Sequence, residues 1–248
     1  MSDLIPEPKA THTRRQPVAG VPHTMGLILL VIAWAYVGLR TAHQIRGGTP
    51  PPGASKILLY LPTFLFEWIL FAYIAIGLRR RGIPMQEITG RIFTGGKELL
   101  RDLGLALLFW PTALVILGLV SYALHIGAKL QSSIRFLLPQ TPAEIAAWIV
   151  LSVTAGICEE TIFRGYLQRQ FISCSGNALA GILLSAILFG AAHIYQGGRQ
   201  AIVIGVFGML FGILAESRRS LRPGMIAHAW QDTFSGILGS LLARRLPS

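Results

Sequence analysis

Repeated apolar stretches of about twenty residues each constrain this chain more than any other feature of its sequence. A helix of that length spans the roughly 30 Å hydrocarbon core of a bilayer. Apolar residues make up 52% of the chain and charged residues only 13%, which is a low charge content for a soluble domain. We therefore predict an all-α fold, a polytopic transmembrane helical bundle with about seven membrane-spanning helices. The expected helical segments are residues 24–42, 57–78, 103–124, 141–173, 177–193, 199–215 and 224–243.

Polar stretches divide the chain into three parts. Residues 1–23 are polar and contain proline, so we predict a disordered cytoplasmic tail. Residues 24–139 hold N-terminal transmembrane helices and loops, and residues 140–245 form a helical core with the candidate chemistry. That core begins with Thr141-Pro142-Ala143-Glu144, a pattern that predicts a capping box at the start of a helix.

The net charge of +11 raises the question of a nucleic-acid partner. The basic residues lie between the apolar runs, however, so they are better explained as loops of a membrane protein. We predict the lipid bilayer as a partner and no nucleic acid. With the N-terminus inside, 14 of the 22 Lys and Arg residues fall on the cytoplasmic side, which favours an integral, multi-pass protein with a cytoplasmic N-terminus.

Ionisable side chains at the end of an apolar run are costly in a membrane and indicate a functional site. Three such groups occur in this chain, and each contains two residues four positions apart that share one helix face: Glu160 with Arg164, Phe189 with His193 and His228 with Asp232. The groups are Glu159-Glu160-Thr161-Ile162-Phe163-Arg164, Phe189-Gly190-Ala191-Ala192-His193 and His228-Ala229-Trp230-Gln231-Asp232. Phe189 is interpreted as packing behind the site.

The first group predicts a general base. Glu160 and Arg164 can form an ion pair within one helix, which makes burying both less costly. Glu159 is then left without its own counter-ion, and desolvation suits such a carboxylate to accept a proton. His193 falls at a similar height along an antiparallel helix pair. His228 reaches the same site if residues 199–215 are tilted or if residues 194–200 are not helical.

The patterns EExxxR, FxxxH and HxxxD, in this order on successive apolar helices, resemble the CAAX protease and bacteriocin-processing family (CPBP, or Abi) of intramembrane proteases. The resemblance covers residues of roughly 140–235, so residues 140–245 would be a CPBP/Abi-type catalytic core. It implies an intramembrane endopeptidase that hydrolyses a peptide bond of a membrane-associated protein or peptide, lipidated or not.

The resemblance also implies a role for each residue. Glu159 would activate water with the help of His193, Glu160 and Arg164 would shape and neutralise the site, and His228 with position 232 would stabilise the oxyanion. The chain departs from the eukaryotic-type proteases at Asp232, where they have asparagine. An ionised aspartate cannot donate to an oxyanion, so it must be protonated, orient His228 or help bind a metal.

Two mechanisms and two other functions stay open. Glu159, His193 and His228 could supply a Zn²⁺ site with an open water position, and a metal-free glutamate mechanism is equally allowed. The alternatives to a protease are a catalytically silent bacteriocin-immunity or scaffold protein, and a transporter that uses the buried charges as an ion path. Glu67 lies in the middle of an apolar segment, where it could make a structural hydrogen bond or take part in function.

Overall fold

The computed structural model describes residues 16–46, 55–91, 95–126 and 136–245, and this part of the chain is helical without β-strands. Most of the predicted tail lies outside the described residues, and the first helix begins at Val21, inside the predicted tail. In chain order the helices are α1 (Val21–Arg46), α2 (Ile57–Arg80), α3 (Met85–Thr89), α4 (Gly96–Ala123), α5 (Pro142–Glu159), a π-helical segment (Glu160–Gln168), α6 (Arg169–Ser175), α7 (Ala178–Ala192), a 3₁₀ turn (Ile194–Gln196), α8 (Gly198–Arg218) and α9 (Arg222–Arg245).

Five helices in the described residues are long and apolar enough to cross a membrane. They are residues 21–44, 57–80, 96–123, 142–175 and 198–218. The all-α membrane fold is thus confirmed, whereas the predicted count of about seven spans is not. Helix α7 is apolar but has only 15 residues, and α9, which carries the polar motif of His228 and Asp232, is not among the five.

A continuous helix of 34 residues, Pro142–Ser175, lies at the centre of the bundle. It begins with the predicted capping box, in which the Thr141 hydroxyl accepts from the Glu144 amide and the Glu144 carboxylate accepts from the Thr141 amide. The same carboxylate accepts from the backbone amide of Lys56 at 3.0 Å, which joins the start of α2 to the start of α5. Asn177 caps α7 as the sequence indicates, since its side chain accepts from the Ala180 amide.

The π-helical segment in this central helix is buried along its whole length of nine residues. Two of its side chains donate to backbone carbonyls of α8. Arg164 donates to the Gly208 carbonyl and Gln168 to the Gly212 carbonyl, both at 3.1 Å. A Cβ at Gly212 would lie 2.6 Å from the Gln168 side chain. Glycine at this position of α8 therefore allows the two helices to pack closely.

The start of α1 and the residues just before it pack on the second half of the central helix. The Gln170 side chain accepts from the Val18 amide and donates to the Ala19 carbonyl. The hydroxyl of Tyr166 lies 2.8 Å from Nδ1 of His23. These contacts join residues about 150 positions apart in the chain and fix the N-terminal end of α1 against the core.

Helix α9 is held against α5 by a close backbone approach. At Gly156 a Cβ would lie 2.7 Å from the carbonyl oxygen of Met225, so only glycine lets the two helices come this near. Further along, the Trp148 indole donates to the backbone carbonyl of Asp232 at 2.9 Å. Both contacts fix the position of the segment of α9 that carries His228.

Candidate active site

The buried carboxylate of Glu160 is the central acceptor of the site. Its Oε1 lies 2.9 Å from Nη1 of Arg164 and 2.9 Å from Nδ1 of His228. The ion pair with Arg164 that the four-residue spacing predicts is therefore present, although the backbone between the two residues is π-helical. The contact with His228 joins the first motif to the third, across 68 residues of sequence.

The imidazole of His228 is surrounded by acids. Because a carboxylate only accepts, Nδ1–H donates to Glu160. The other nitrogen, Nε2, lies 3.7 Å from Glu159 and 3.5 Å from Asp232. The ring also stacks on Phe211, with centroids 5.2 Å apart and planes inclined by 19°. This arrangement fixes the ring and suits a cationic imidazole that donates from both nitrogens.

The guanidinium of Arg164 is enclosed by aromatic rings. Its Cζ lies 4.2 Å from the ring centre of Phe189 and 5.1 Å from that of Phe211. Cation–π attraction and the contact with Glu160 together compensate the loss of water around this charge. Phe189 thus packs behind the site, as the sequence interpretation has it, and also contacts a charge.

His193 ends α7 beside Phe189. Its Nδ1 lies 2.8 Å from the Phe189 carbonyl, which can only accept, so Nδ1 carries the hydrogen and Nε2 is the basic nitrogen of the neutral ring. The Phe189 ring lies between the two histidines, 4.8 Å from His193 and 6.2 Å from His228 between ring centres. The chain turns through the 3₁₀ turn after His193, so α8 starts without a long connection.

The structure modifies the prediction for Glu159. The sequence analysis leaves this carboxylate without a counter-ion, but Nε2 of His228 lies 3.7 Å away. Its side chain is 16% exposed, so it is the more accessible of the two adjacent glutamates. Asp232 is more open still, with 38% of its side chain exposed.

The predicted zinc ligands do not form a metal-binding group here. Within the described ranges, no three His, Cys, Asp or Glu side chains are grouped so that they could hold a metal ion. The contacts of Nδ1 in His193 with the Phe189 carbonyl and in His228 with Glu160 leave both Nε2 atoms available, as in histidines that bind metals, so the zinc prediction stays a prediction. We therefore derive no step through a metal.

Two features of the site are missed by sequence reasoning. Phe211, the stacking partner of His228, lies in an apolar helix without a motif of its own. The π-helical winding has no sequence signature. Glu67 on α2, which the sequence singles out as an isolated charge in an apolar run, is buried and interacts electrostatically with Glu159, His228 and Asp232. The sequence does not indicate these neighbours.

Residues 140–234 match the family model described as type II CAAX prenyl endopeptidase, Rce1-like. This segment is similar to that family. The match confirms the resemblance read from the three motifs, and it contains all six predicted site residues. It covers less than half of the chain and leaves out α1, α2, α3 and α4. No curated protein and no solved structure gives a significant match.

Proposed function

We propose that the protein is an intramembrane endopeptidase in which Glu159 activates water to hydrolyse a peptide bond of a membrane-associated protein or peptide. The observation that carries the proposal is the placement of Glu159 beside a fixed imidazole, 3.7 Å from Nε2 of His228. The Rce1-like match over the same residues supports a protease. The apolar helices around the site support a substrate at the bilayer, lipidated or not.

Each group has a definite task in this mechanism. Glu159 takes a proton from water while the water oxygen attacks the carbonyl carbon of the peptide bond, and Nε2 of His193 helps to orient that water. His228 donates from Nε2 to the oxyanion that forms. Glu160 accepts from Nδ1–H of His228 and fixes the ring, while Arg164 neutralises Glu160.

Asp232 is assigned to orientation. Its carboxylate lies 3.5 Å from Nε2 of His228, and the Trp148 indole anchors its backbone. An ionised carboxylate has no hydrogen to donate to an oxyanion, so its contribution is to hold the imidazole and favour its cationic form.

We place the N-terminus in the cytoplasm, on the distribution of basic residues between the segments.

The deciding experiment uses purified protein in proteoliposomes with a fluorogenic peptide tethered to the bilayer by a membrane anchor. Glu159→Gln should reduce cleavage by about 10³-fold or more, since a general base contributes about 10² to 10⁴. Glu87→Gln is the matched control, because Glu87 is exposed on α3, and it should cleave at the wild-type rate.

Two outcomes would contradict the proposal. Cleavage that survives Glu159→Gln would remove Glu159 as the base. A wild-type protein that cuts no tethered peptide, with or without a lipid on the substrate, would favour the immunity or scaffold function. Activity before and after treatment with a chelator, with metal analysis of the purified protein, tests the zinc prediction separately.

A further inference from the structure

Glu67 is a buried acid that the proposed mechanism does not use. It lies on α2, outside the Rce1-like segment, so the family match assigns it no role. The residue is only 5% exposed, and its Oε2 has no hydrogen-bond partner in the part of the chain that the structure describes. A buried carboxyl oxygen without a partner is costly, so its presence here needs an explanation.

The surroundings of Glu67 place it at the candidate active site. Helix α2 packs against α5 and against the π-helical segment. Glu67 interacts electrostatically with Glu159 and Cys158 of α5 and with His228 and Asp232 of α9. Tyr195 in the 3₁₀ turn interacts with the same three acids, Glu67, Glu159 and Asp232.

The balance of charge decides which of these acids holds a proton. The cluster contains four carboxyl groups, and its cations are Arg164 and a protonated His228. Arg164 contacts Glu160, and His228 lies within 3.7 Å of Glu159, Glu160 and Asp232. Of these four carboxyl groups, Glu67 is the one that has no ion pair among the described residues. An unpaired buried acid beside other carboxylates is most stable in its neutral form.

We infer that Glu67 is a further catalytic residue, a neutral carboxylic acid that gives its proton to the leaving nitrogen of the peptide bond. The inference rests on the proposed function. Glu159 lies 3.7 Å from Nε2 of His228, whereas Glu67 is buried and has no ion pair in the described part of the chain. Two carboxyl groups in such different environments can provide a base and an acid in one site.

The proton balance closes over one turnover. Glu159 takes a proton from water as the new C–O bond forms, and the tetrahedral intermediate carries the negative charge. When the C–N bond breaks, the electron pair stays on nitrogen, and the nitrogen takes the proton of Glu67 to leave as an amine. The proton on Glu159 then passes to Glu67, directly or through water. The net change is the addition of one water across the C–N bond.

Two substitutions separate proton donation from a merely structural role. Glu67→Gln keeps the size of the side chain and a hydrogen-bond donor but has no proton to transfer, whereas Glu67→Asp keeps the acid. On the tethered peptide we expect kcat to fall by about 10²-fold or more in Glu67→Gln, and Glu67→Asp to recover a large part of it. The decline of kcat/KM at high pH should change in Glu67→Gln: the part that comes from the loss of the Glu67 proton should be missing, and only the part that comes from the cationic His228 should remain.

A change of leaving group sharpens the test. A nitrophenyl ester of the same tethered peptide releases a stable phenolate that needs no proton, so Glu67→Gln should hydrolyse it at nearly the wild-type rate. Glu159→Gln should lose activity on both the ester and the amide. Glu144→Gln is the matched control for removing a buried carboxylate, since Glu144 is buried at the opposite end of α5 from Glu159; it should treat ester and amide alike.

Three results would overturn the inference. Amide cleavage by Glu67→Gln at the wild-type rate, while Glu159→Gln is inactive, would remove Glu67 from the mechanism and leave the proposed function intact. Equal losses on ester and amide would show that Glu67 only supports the fold. A folded wild-type protein that cuts neither substrate would overturn the proposed function and this inference together.

Discussion

Two buried carboxylates in this protein each contact two basic side chains, but the groups around them differ. Asp102 on α4 lies 3.0 Å from Arg218 and 2.6 Å from Arg222, which flank the turn between α8 and α9. Glu160 likewise has two nitrogen partners, Arg164 and His228, each at 2.9 Å. We call these groups the Asp102 cluster and the Glu160 cluster.

The difference lies in what surrounds each pair of cations. In the Asp102 cluster two arginines face one buried carboxylate, and Glu98 adds a weaker contact to Arg222 at 3.7 Å. In the Glu160 cluster, Glu159, Asp232 and Glu67 add three more carboxyl groups. The Asp102 cluster has enough positive charge to neutralise its buried carboxylate, so it serves to hold the helices together. The Glu160 cluster has more carboxyl groups than cations, and a buried site of that kind is suited to holding and transferring protons.

The largest expected effect is on stability, from Arg164→Met. Removing the guanidinium leaves Glu160 as a buried charge with one partner fewer, and breaking a buried pair on one side costs about 3–5 kcal/mol. Chemical unfolding in detergent micelles measures the loss. The double substitution Glu160→Gln with Arg164→Met should recover more than half of the stability without restoring cleavage. An Arg164→Met protein as stable as the wild type would contradict the account of the Glu160 cluster.

Asp102→Asn should have a smaller effect on stability and none on chemistry. Its partners are partly hydrated, with 21% of the Arg218 side chain and 12% of the Arg222 side chain exposed, so the two arginines can turn to water. We expect a loss of about 1.5–3 kcal/mol in the free energy of unfolding, measured as above. Below the unfolding transition the cleavage rate should match the wild type. Loss of cleavage in folded Asp102→Asn would show that the two clusters are coupled.

Gly156→Ala tests whether the Glu160 cluster depends on the approach of α9 to α5. The added methyl meets the Met225 carbonyl at 2.7 Å, so α9 must shift and carry His228 with it. Overpacking of this kind costs about 1–3 kcal/mol, and kcat should fall. Gly104→Ala is the control, because a Cβ at Gly104 meets nothing within 4 Å. This substitution should stabilise α4 by roughly 0.5–1 kcal/mol, since alanine favours a helix more than glycine does. Equal kcat in the two variants would contradict this explanation.

The smallest effect is expected from Asp232→Asn. The side chain is 38% exposed and its oxygen is 3.5 Å from His228, so water can replace much of what the carboxylate provides. The amide can still accept from the imidazole, and we expect kcat/KM on the tethered peptide to stay within about tenfold of wild type. Asp232→Leu, which cannot accept, should lose more. A complete loss in Asp232→Asn would give this residue a direct role in proton transfer.

The parts of the structure that the sequence predicts are the local ones. The capping box at Thr141 and the cap at Asn177 follow from residues within four positions. The contact of Arg164 with Glu160 follows from the same short spacing. Apolar stretches of adequate length likewise predict the membrane-spanning helices, with ends displaced by a few residues.

The parts that it does not predict depend on how the helices pack. Asp102 and Arg218 are 116 residues apart in sequence, and nothing near either residue indicates the other. The burial of Glu67 beside Glu159 depends on how α2 packs on α5. The sequence likewise leaves Glu159 without a counter-ion, whereas the packing of α9 places Nε2 of His228 3.7 Å from it. Hydropathy also does not fix the number of membrane-spanning helices. The polar residues that α9 buries in the core lower its mean hydropathy, so its composition does not show whether it crosses the membrane.

The π-helical segment makes the length of the central helix as important as its composition. Its winding brings Arg164 to the backbone of α8 and Gln170 to the backbone before α1. A single deletion within residues 160–168 would turn everything after it by about 100° about the helix axis. All the contacts on the far side would then be lost together, whereas a substitution removes only its own. Insertions and deletions in these nine residues should therefore be tolerated far less well than point changes.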